Sequence, residues 1–403
     1  MTDTGAPTRS TTRVAIMGGG PAGLLLSHLL SGAGIENVVV EARDKDTIYN
    51  THRAGILEAG SVALLTDTGV DGRVKELGDE HAGIDLRFGG ESHPLDFREL
   101  VDATVTLYAQ NEVFLDLANA RERDGGEVHF GATVTAVLDP ESKTPGIAYT
   151  DADGRAHELR ADLVIGADGS RSLARRSIPE AARTDYTVEY PFAWFGILTE
   201  APKSAPELIY ARSERGFALI SQRSETVQRM YFQCSPDTDP ADYSDDRIFS
   251  ELQARVDGPD GLTLRTGPII DRSVLKFRSF VRTPLRHGNL FLAGDAGHTV
   301  PPTGAKGLNL ALADVKILFE AIESFYSSGS GALLDTYSDR ALARVWKAQH
   351  FSWWMTSMLH RSEDATAFQD QRTLGELNSI VSSRYGSQYL AESYTGWPHA
   401  RSN

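Results

Sequence analysis

Two patterns of apolar and polar positions divide the chain. Near the N-terminus the apolar run of "RVAIMG" breaks at "GGGPAG", resumes in the leucine-rich "LLLSHLLSGAG" and is followed by a second run, "NVVVEA". That order predicts strand, glycine turn, helix and strand, a β-turn-α-β unit. The pattern returns in "RADLVIGADGSRSLARRS", a short buried strand ending at Gly166-Ala167-Asp168-Gly169 before a helix with basic residues. It returns again where "NLFLA" runs into "GDAGHTVPPTGAKGLNLALADV", with an acid, two prolines and several glycines before an apolar helical tail. From "YPFAWFGILTE" through "ELIYARSERGFALISQRS" to "QRMYFQC" the pattern is different. Apolar and aromatic residues come there in short runs split by Pro, Ser and Arg, which predicts antiparallel strands.

Composition narrows the class. At 403 residues the chain is too long for one ordinary core, so two lobes, possibly discontinuous in sequence, are expected. Hydrophobic residues at 41% and charged residues at 24% are those of a soluble globular protein. No apolar stretch reaches membrane-spanning length, and "MTDTGAPTRSTTR" lacks the apolar core of a signal peptide, so it reads as a polar leader on a cytoplasmic protein. A formal charge of -15 disfavours nucleic acid and anionic membrane as partners, and leaves room for a small anionic substrate in a locally basic pocket. Cys234 is the single cysteine, which excludes an intrachain disulfide and a thiolate zinc site and reads as a small buried residue. No metal site is expected.

The candidate chemistry begins at the first glycine turn. Gly18-x-Gly20-x-x-Gly23 permits a tight turn and close approach of a pyrophosphate to a helix N-terminus, and Glu41, closing the second strand, is placed to accept ribose hydroxyls. FAD and NAD both use this element. Asp168 and Asp295, each at the end of a later strand, and the amides of "GAKGLN" (Gly307, Leu308, Asn309) tip the choice to FAD, with Asp295 on a ribityl hydroxyl. In the middle of the chain Ser221 and Arg223 share a face at period two, and Tyr231 lies on a following strand that could pair beside them. Hydroxyl, guanidinium and phenol converging suit a carboxylate. The residues alone favour a surface salt bridge for Arg223, packing for Tyr210 and Tyr394, and an ordinary surface position for His81.

Taken together, these motifs and the stretches "HRAGILEAG", "ELIYARSERGFALISQRS", "VPPTGAKGLNLA" and "FSWWMTSMLHR" resemble the class A flavoprotein aromatic hydroxylases, from about residue 13 to about residue 398. The resemblance implies an α/β fold: a discontinuous Rossmann-like FAD-binding domain (1–80, 101–183 and 276–350), an inserted β-rich substrate domain (81–100 and 184–275) and a helical C-terminal part (351–403) that helps form a homodimer. It implies ortho hydroxylation of 4-hydroxybenzoate to 3,4-dihydroxybenzoate with O2 through a flavin hydroperoxide.

The same resemblance assigns roles. Ser221, Arg223 and Tyr231 hold the substrate carboxylate, while Tyr210 meets its phenol and passes the proton by way of Tyr394 to His81 near solvent. Pro302 turns its carbonyl to the substrate hydroxyl, and Ile56, Trp194, Leu208 and Leu219 keep the pocket dry. Arg53 and Gln110 join the cofactor set. Arg43, Arg175 and Arg278 fall near the nicotinamide.

One departure bears on the reductant. Family members that use NADPH carry an arginine and a tyrosine where this chain has Ala42 and Thr47, with "RDKD" between and Thr51 just before "HRAG", so NADH is expected over NADPH. Other readings stay open: hydroxylation of 4-aminobenzoate or another para-substituted benzoate, an FAD-dependent dehydrogenase or oxidase, and a non-catalytic flavin-bearing interaction protein. "FSWWMTSMLH" reads as core or dimer interface.

Overall fold

The computed structural model describes residues 6–51, 55–70 and 72–397. Its first sheet has six strands in the order Arg286–His287, Leu290–Leu292, Leu163–Gly166, Val14–Met17, Asn37–Glu41 and Glu127–Phe130. All neighbours are parallel except the first pair. The helix Pro21–Gly32 makes the crossover between the two central strands, with Gly20 as its N-cap and Pro21 at the first helical position, where a missing N–H costs nothing. Its residues Ala22–Leu30 are buried all round, which is why it reads as leucine-rich rather than amphipathic. Two of the glycines are steric necessities. Gly18 has φ 103°, and a side chain on Gly23 would overlap the Gly18 carbonyl.

The second large sheet has eight strands, ordered His298–Thr299, Ile269–Thr283, Thr184–Glu200, Val227–Cys234, Gly216–Ser224, Leu208–Ser213, Gly83–Phe88 and Glu91–Asp96. Its pairs are antiparallel apart from Leu208–Ser213 with Gly83–Phe88. One strand, Ile269–Thr283, runs across residue 275 without interruption. Both faces are covered, so side chains alternate between two cores. Leu208, Tyr210, Phe217, Leu219, Tyr231 and Trp194 pack towards the C-terminal helices. Ile209, Ala211, Ala218, Ile220, Met230 and Phe232 pack towards the helix Asp245–Val256. Cys234 borders that second core and is half-buried rather than buried, because it ends its strand. Among the described residues no helix is long and apolar enough to cross a membrane.

The helix Tyr337–Leu359 carries "FSWWMTSML" and lies against the first of these cores. Phe351, Ser352, Met355, Thr356, Met358 and Leu359 are buried, whereas Trp353 faces outward. At the helix end, His360 locks sheet to helix. The Trp194 indole N–H donates to its Nε2 (2.6 Å), its Nδ1 donates to the Thr356 carbonyl (2.9 Å), and Phe192 and Phe217 stack on its faces.

Burial pushes the His360 imidazole down to about 3, so the ring is neutral in the fold. In the unfolded chain it takes a proton near its ordinary 6.5. The stability it contributes is therefore complete above that pH and is lost as pH falls towards the folded value, by up to about 1.4 kcal/mol per unit. Thermal unfolding followed between pH 7 and 5 should show a steeper loss for the parent than for His360→Gln. Equal slopes would show that His360 does not set this acid sensitivity.

Candidate active site

Strand register gathers the expected substrate residues. Tyr210 pairs with Leu219 and Leu219 with Tyr231, so these three form a row across three strands on one face. Tyr231 continues over Gly196 on the next strand, where any larger residue would collide with the tyrosine ring. Ser221 and Arg223 follow Leu219 on the same face, and the register shifts between Gln222 and Ser224, placing Arg223 at a bulge. Trp194, Leu208, Leu219, Tyr210 and Tyr231 are buried, and the half-buried Ile56 packs against the same cluster.

At one end of the row the phenols of Tyr210 and Tyr394 are hydrogen bonded at 2.8 Å, both fully enclosed. Burial pushes both hydroxyls above the usual phenol range, and Tyr210 is opposed in this by its bond to Tyr394. Neither is suited to resting as a phenolate. At the other end, Arg223 Nη2 donates to Asn111 Oδ1 (2.7 Å), and the Ser221 hydroxyl donates to the Arg229 carbonyl (2.9 Å). Burial and the neighbouring Arg229 lower the proton affinity of the Arg223 guanidinium.

Arg229 did not figure among the expected residues. Its guanidinium lies 5.3 Å from the centre of the Tyr231 ring, with one buried nitrogen lacking a hydrogen-bond partner. Its position two residues before Tyr231 was the available signal.

His81 departs from expectation. It is 2% exposed and not itself near solvent, because its short strand Asp79–His81 is paired to Val105–Leu107 beneath the C-terminal helix. Its Nδ1 meets Glu207 (2.5 Å) and its Nε2 meets Asp79 (3.2 Å). No direct hydrogen bond joins it to Tyr394 among the described residues. Sequence reading missed both carboxylates, one of which lies 126 positions away.

The cofactor motifs form a continuous cradle. Glu41 accepts from the Gly19 amide (2.7 Å) and from the amide and Nε of Arg43 (2.9 and 3.2 Å). Asp168 caps a short helix through the Leu173 and Ala174 amides, leaving its other oxygen buried without a partner. A side chain on Gly20 or Gly307 would meet no protein atom within 4 Å. Both glycines stand at helix N-termini, so their bareness serves something other than packing. These features fit FAD. Gln110 begins the helix Gln110–Arg123, and Asp295 lies in the turn Gly294–Ala296 whose carbonyls accept from Arg175.

Asn309 spends its side chain within the protein, accepting from the Glu58 amide and Ser61 and donating to the Ile56 and Ala305 carbonyls. Leu308 packs on the main core. Pro302 starts the turn Pro302–Gly304, its carbonyl accepting from the Ala305 amide at 2.9 Å. Arg175 and Arg278 both donate to the Ser170 carbonyl, Arg175 also stacking on Phe280. Arg53 lies outside the described residues. Beside the cradle, the enclosed Lys306 ammonium is paired with Glu58 (2.7 Å) and bonded to the Tyr394 carbonyl (2.8 Å).

Residues 11–352 match the FAD binding domain family. The chain is 44% identical over 389 residues to p-hydroxybenzoate hydroxylase of Acinetobacter baylyi (strain ATCC 33305 / BD413 / ADP1), covering 96% of each. It is 29% identical over 353 residues to a 3-(3-hydroxy-phenyl)propionate/3-hydroxycinnamic acid hydroxylase of Mycobacterium avium, covering 81% of this chain and 57% of that protein. The crystal structure of p-nitrophenol 4-monooxygenase from Pseudomonas putida DLL-E4 superposes with a TM-score of 0.80 at 20% identity, covering 96% of this chain and 99% of the other. Fold and site define an FAD-dependent aromatic hydroxylase, a flavin monooxygenase. Within that class the chain belongs to the p-hydroxybenzoate hydroxylase family.

Open space in front of Gly20 makes a test of the cradle. Gly20→Ala should fold with a melting temperature near that of the parent apoprotein but bind FAD roughly ten-fold or more weakly, as expected when a charge-assisted backbone contact is blocked. Gly18→Ala should instead lower the melting temperature. Flavin absorbance per chain after dialysis against free FAD reads the first effect; parent-like retention by Gly20→Ala would exclude close approach of cofactor at this turn.

Proposed function

We propose that the chain hydroxylates 4-hydroxybenzoate at the carbon ortho to its phenol, giving 3,4-dihydroxybenzoate, with O2 and a reduced nicotinamide as co-substrates. The observation that carries this reading is the row on one sheet face: a cationic, hydroxyl-bearing end and a paired-phenol end with apolar residues between. Tyr210 and Tyr231 stand two strands apart, about 9.6 Å of backbone spacing, so the two ends of the row lie on different strands of one face.

Arg223 takes the carboxylate through parallel donors, helped by Tyr231 and by the Ser221 hydroxyl once it turns from the Arg229 carbonyl. Tyr210 then meets the substrate phenol at the far end. It draws the phenolic proton away and hands it to Tyr394 along their existing bond, which enriches the ring for attack by an electrophilic oxygen. FAD, when bound by Gly18, Gly20, Gly23, Glu41, Gln110, Asp168, Asp295, Gly307 and their neighbours, supplies hydride acceptance and oxygen activation. The Pro301-Pro302 turn holds the substrate in register with it, fixed from behind by Thr303, whose hydroxyl accepts from Thr356 at 2.9 Å. Trp194, Leu208, Leu219 and Ile56 exclude water.

NADH is the proposed reductant. The Asp44 carboxylate accepts from the amide (2.7 Å) and hydroxyl (2.6 Å) of Thr47, Lys45 is engaged by Asn119 and Glu122, and Arg43 by Glu41. Arg43 and Lys45 thus each have a carboxylate beside them, which disfavours a phosphate dianion. The chain is further proposed to be homodimeric, with 81–100 and 184–275 as its substrate-holding part.

Two variants test the two ends of the row. Tyr210→Phe should bind 4-hydroxybenzoate and consume NADH and oxygen yet form little dihydroxybenzoate, releasing hydrogen peroxide instead. The ratio of product to NADH oxidised reads this, and a parent-like ratio would exclude activation through Tyr210. Arg223→Lys presents a point charge in place of two parallel donors and should weaken 4-hydroxybenzoate binding by roughly 1.5 to 3 kcal/mol, about one to two powers of ten. Titration showing parent affinity would place the carboxylate elsewhere.

A further inference from the structure

Pro301 and Pro302 give their turn a stiff shape but no backbone N–H with which to hold it in place. Anchoring has to come from the flanks. On one side lies the edge strand His298–Thr299, whose pairing with Ile269–Thr283 stops at Thr299 and Phe280. On the other, Lys306 is pinned by Glu58 and the Tyr394 carbonyl. Residues 300–304 span the gap between these two fixed points.

The helix Tyr337–Leu359 meets that gap with a buried polar stripe. Gln349, Ser352 and Thr356 recur at i, i+3 and i+7 and so share one face. Gln349 Nε2 donates to the Thr299 carbonyl (2.7 Å) and to the Phe280 carbonyl (3.2 Å), joining the two strands where their pairing ends. Two helical turns further on, the hydroxyls of Thr356 and Thr303 are bonded at 2.9 Å. Between these points Gly304 lies directly on the helix, since a side chain there would meet the Ser352 hydroxyl at 2.7 Å and the Phe351 ring at 3.1 Å. Ser352, its own hydroxyl without a partner among the described residues, supplies the small surface this approach needs. Val300 packs against the same helix beside Val345 and Ala348.

Among the described residues, Gln349 and Thr356 are the side chains that hydrogen-bond residues 299–304. A buried amide or hydroxyl costs stability unless it is paired, and packing alone would be served by apolar residues, as it is at Val345, Ala348 and Met355 of the same helix. The polar groups are spent instead across the interface, one on the chain before the two prolines and one on the chain after them.

We propose that Gln349 and Thr356 are positioning residues for the hydroxylation: by gripping the chain on both sides of Pro301-Pro302 they set the place of that turn, and with it the alignment of the substrate ring against the cofactor. The inference rests on the reading of this turn as the element that holds the substrate in register. Both residues act through the turn, not on the substrate. A displaced turn leaves the Ser221, Arg223 and Tyr231 end of the row untouched, so the substrate still binds. What suffers is delivery of oxygen to the ring, and NADH, a proton and O2 then end as NAD+ and hydrogen peroxide.

Two measurements on the FAD-loaded protein test this in Gln349→Met and Thr356→Val, which keep the bulk of each side chain and remove its hydrogen bonds to the loop. Amide hydrogen exchange read by mass spectrometry should quicken over residues 299–305 by roughly two- to ten-fold, the worth of one such bond, and stay at the parent rate around Gly18 to Gly23. With 4-hydroxybenzoate, NADH and O2, the ratio of dihydroxybenzoate to NADH oxidised should fall at least about two-fold, with hydrogen peroxide making up the difference and substrate affinity unchanged. Thr356→Ser, which keeps the hydroxyl, should restore both readings. Variants that melt earlier yet keep the parent's product ratio would show a merely structural role and overturn the inference while leaving the substrate reading intact. Parent-like exchange over residues 299–305 would overturn it equally. A parent enzyme that oxidises NADH but forms no dihydroxybenzoate would overturn the reading of the reaction itself, and this inference with it.

Discussion

A lysine ammonium sealed from water must be paired, and the pairing of Lys306 ties together three distant parts of the chain. Its partners are Glu58, from the strand Ile56–Glu58, and the carbonyl of Tyr394, from the C-terminal helix, while Lys306 itself immediately precedes the helix Gly307–Ser328. Arg344 donates to the other Glu58 oxygen (3.0 Å), and Asn309 holds the Glu58 amide (2.9 Å). Removing Glu58 would leave the Lys306 ammonium stranded in a dry interior, so the three segments keep one relative position. That position holds the glycine-rich turn against the helix that carries Tyr394.

The eight-stranded sheet solves a different problem. Because both of its faces are covered, it can devote one to packing alone and the other to chemistry without exposing either. Ile209, Ala211, Ile220 and Met230 secure it against one helix, and the alternate positions Tyr210, Ser221 and Tyr231 are then free to carry polar groups. The side-chain period of two turns a single strand pairing into a spatial row of hydroxyl, phenol and guanidinium groups.

Much of this was legible from the chain. Gly18 and Gly23 betray themselves because the backbone there tolerates no side chain, and the alternation of Ser221 with Arg223 because a strand can present both on one side only at that spacing. What stayed hidden depends on contacts between distant segments. Nothing local to "GDEHAGI" announces that His81 lies between two acids, since Glu207 reaches it only once Leu208–Ser213 pairs in parallel with Gly83–Phe88. Likewise Asn309 looks like a helix-entry residue offered to a ligand, and its engagement by Ile56, Glu58 and Ser61 appears only when those segments meet in three dimensions. The parallel pair breaks the hairpin logic that served for the strands around it.

The bond between the Trp194 indole and His360 carries a consequence for how this pocket could be reshaped. The indole packs in the cluster that holds Tyr210, Leu219 and Tyr231, and it is also a fastener between the sheet and the end of the helix Tyr337–Leu359. A smaller residue there, made to admit a bulkier aromatic compound, would also leave the buried His360 Nε2 without its donor and open a void beside Phe217 and Phe277. Breadth of substrate and firmness of the C-terminal lobe are thus coupled through one side chain. Compensating changes at His360 would have to accompany any enlargement.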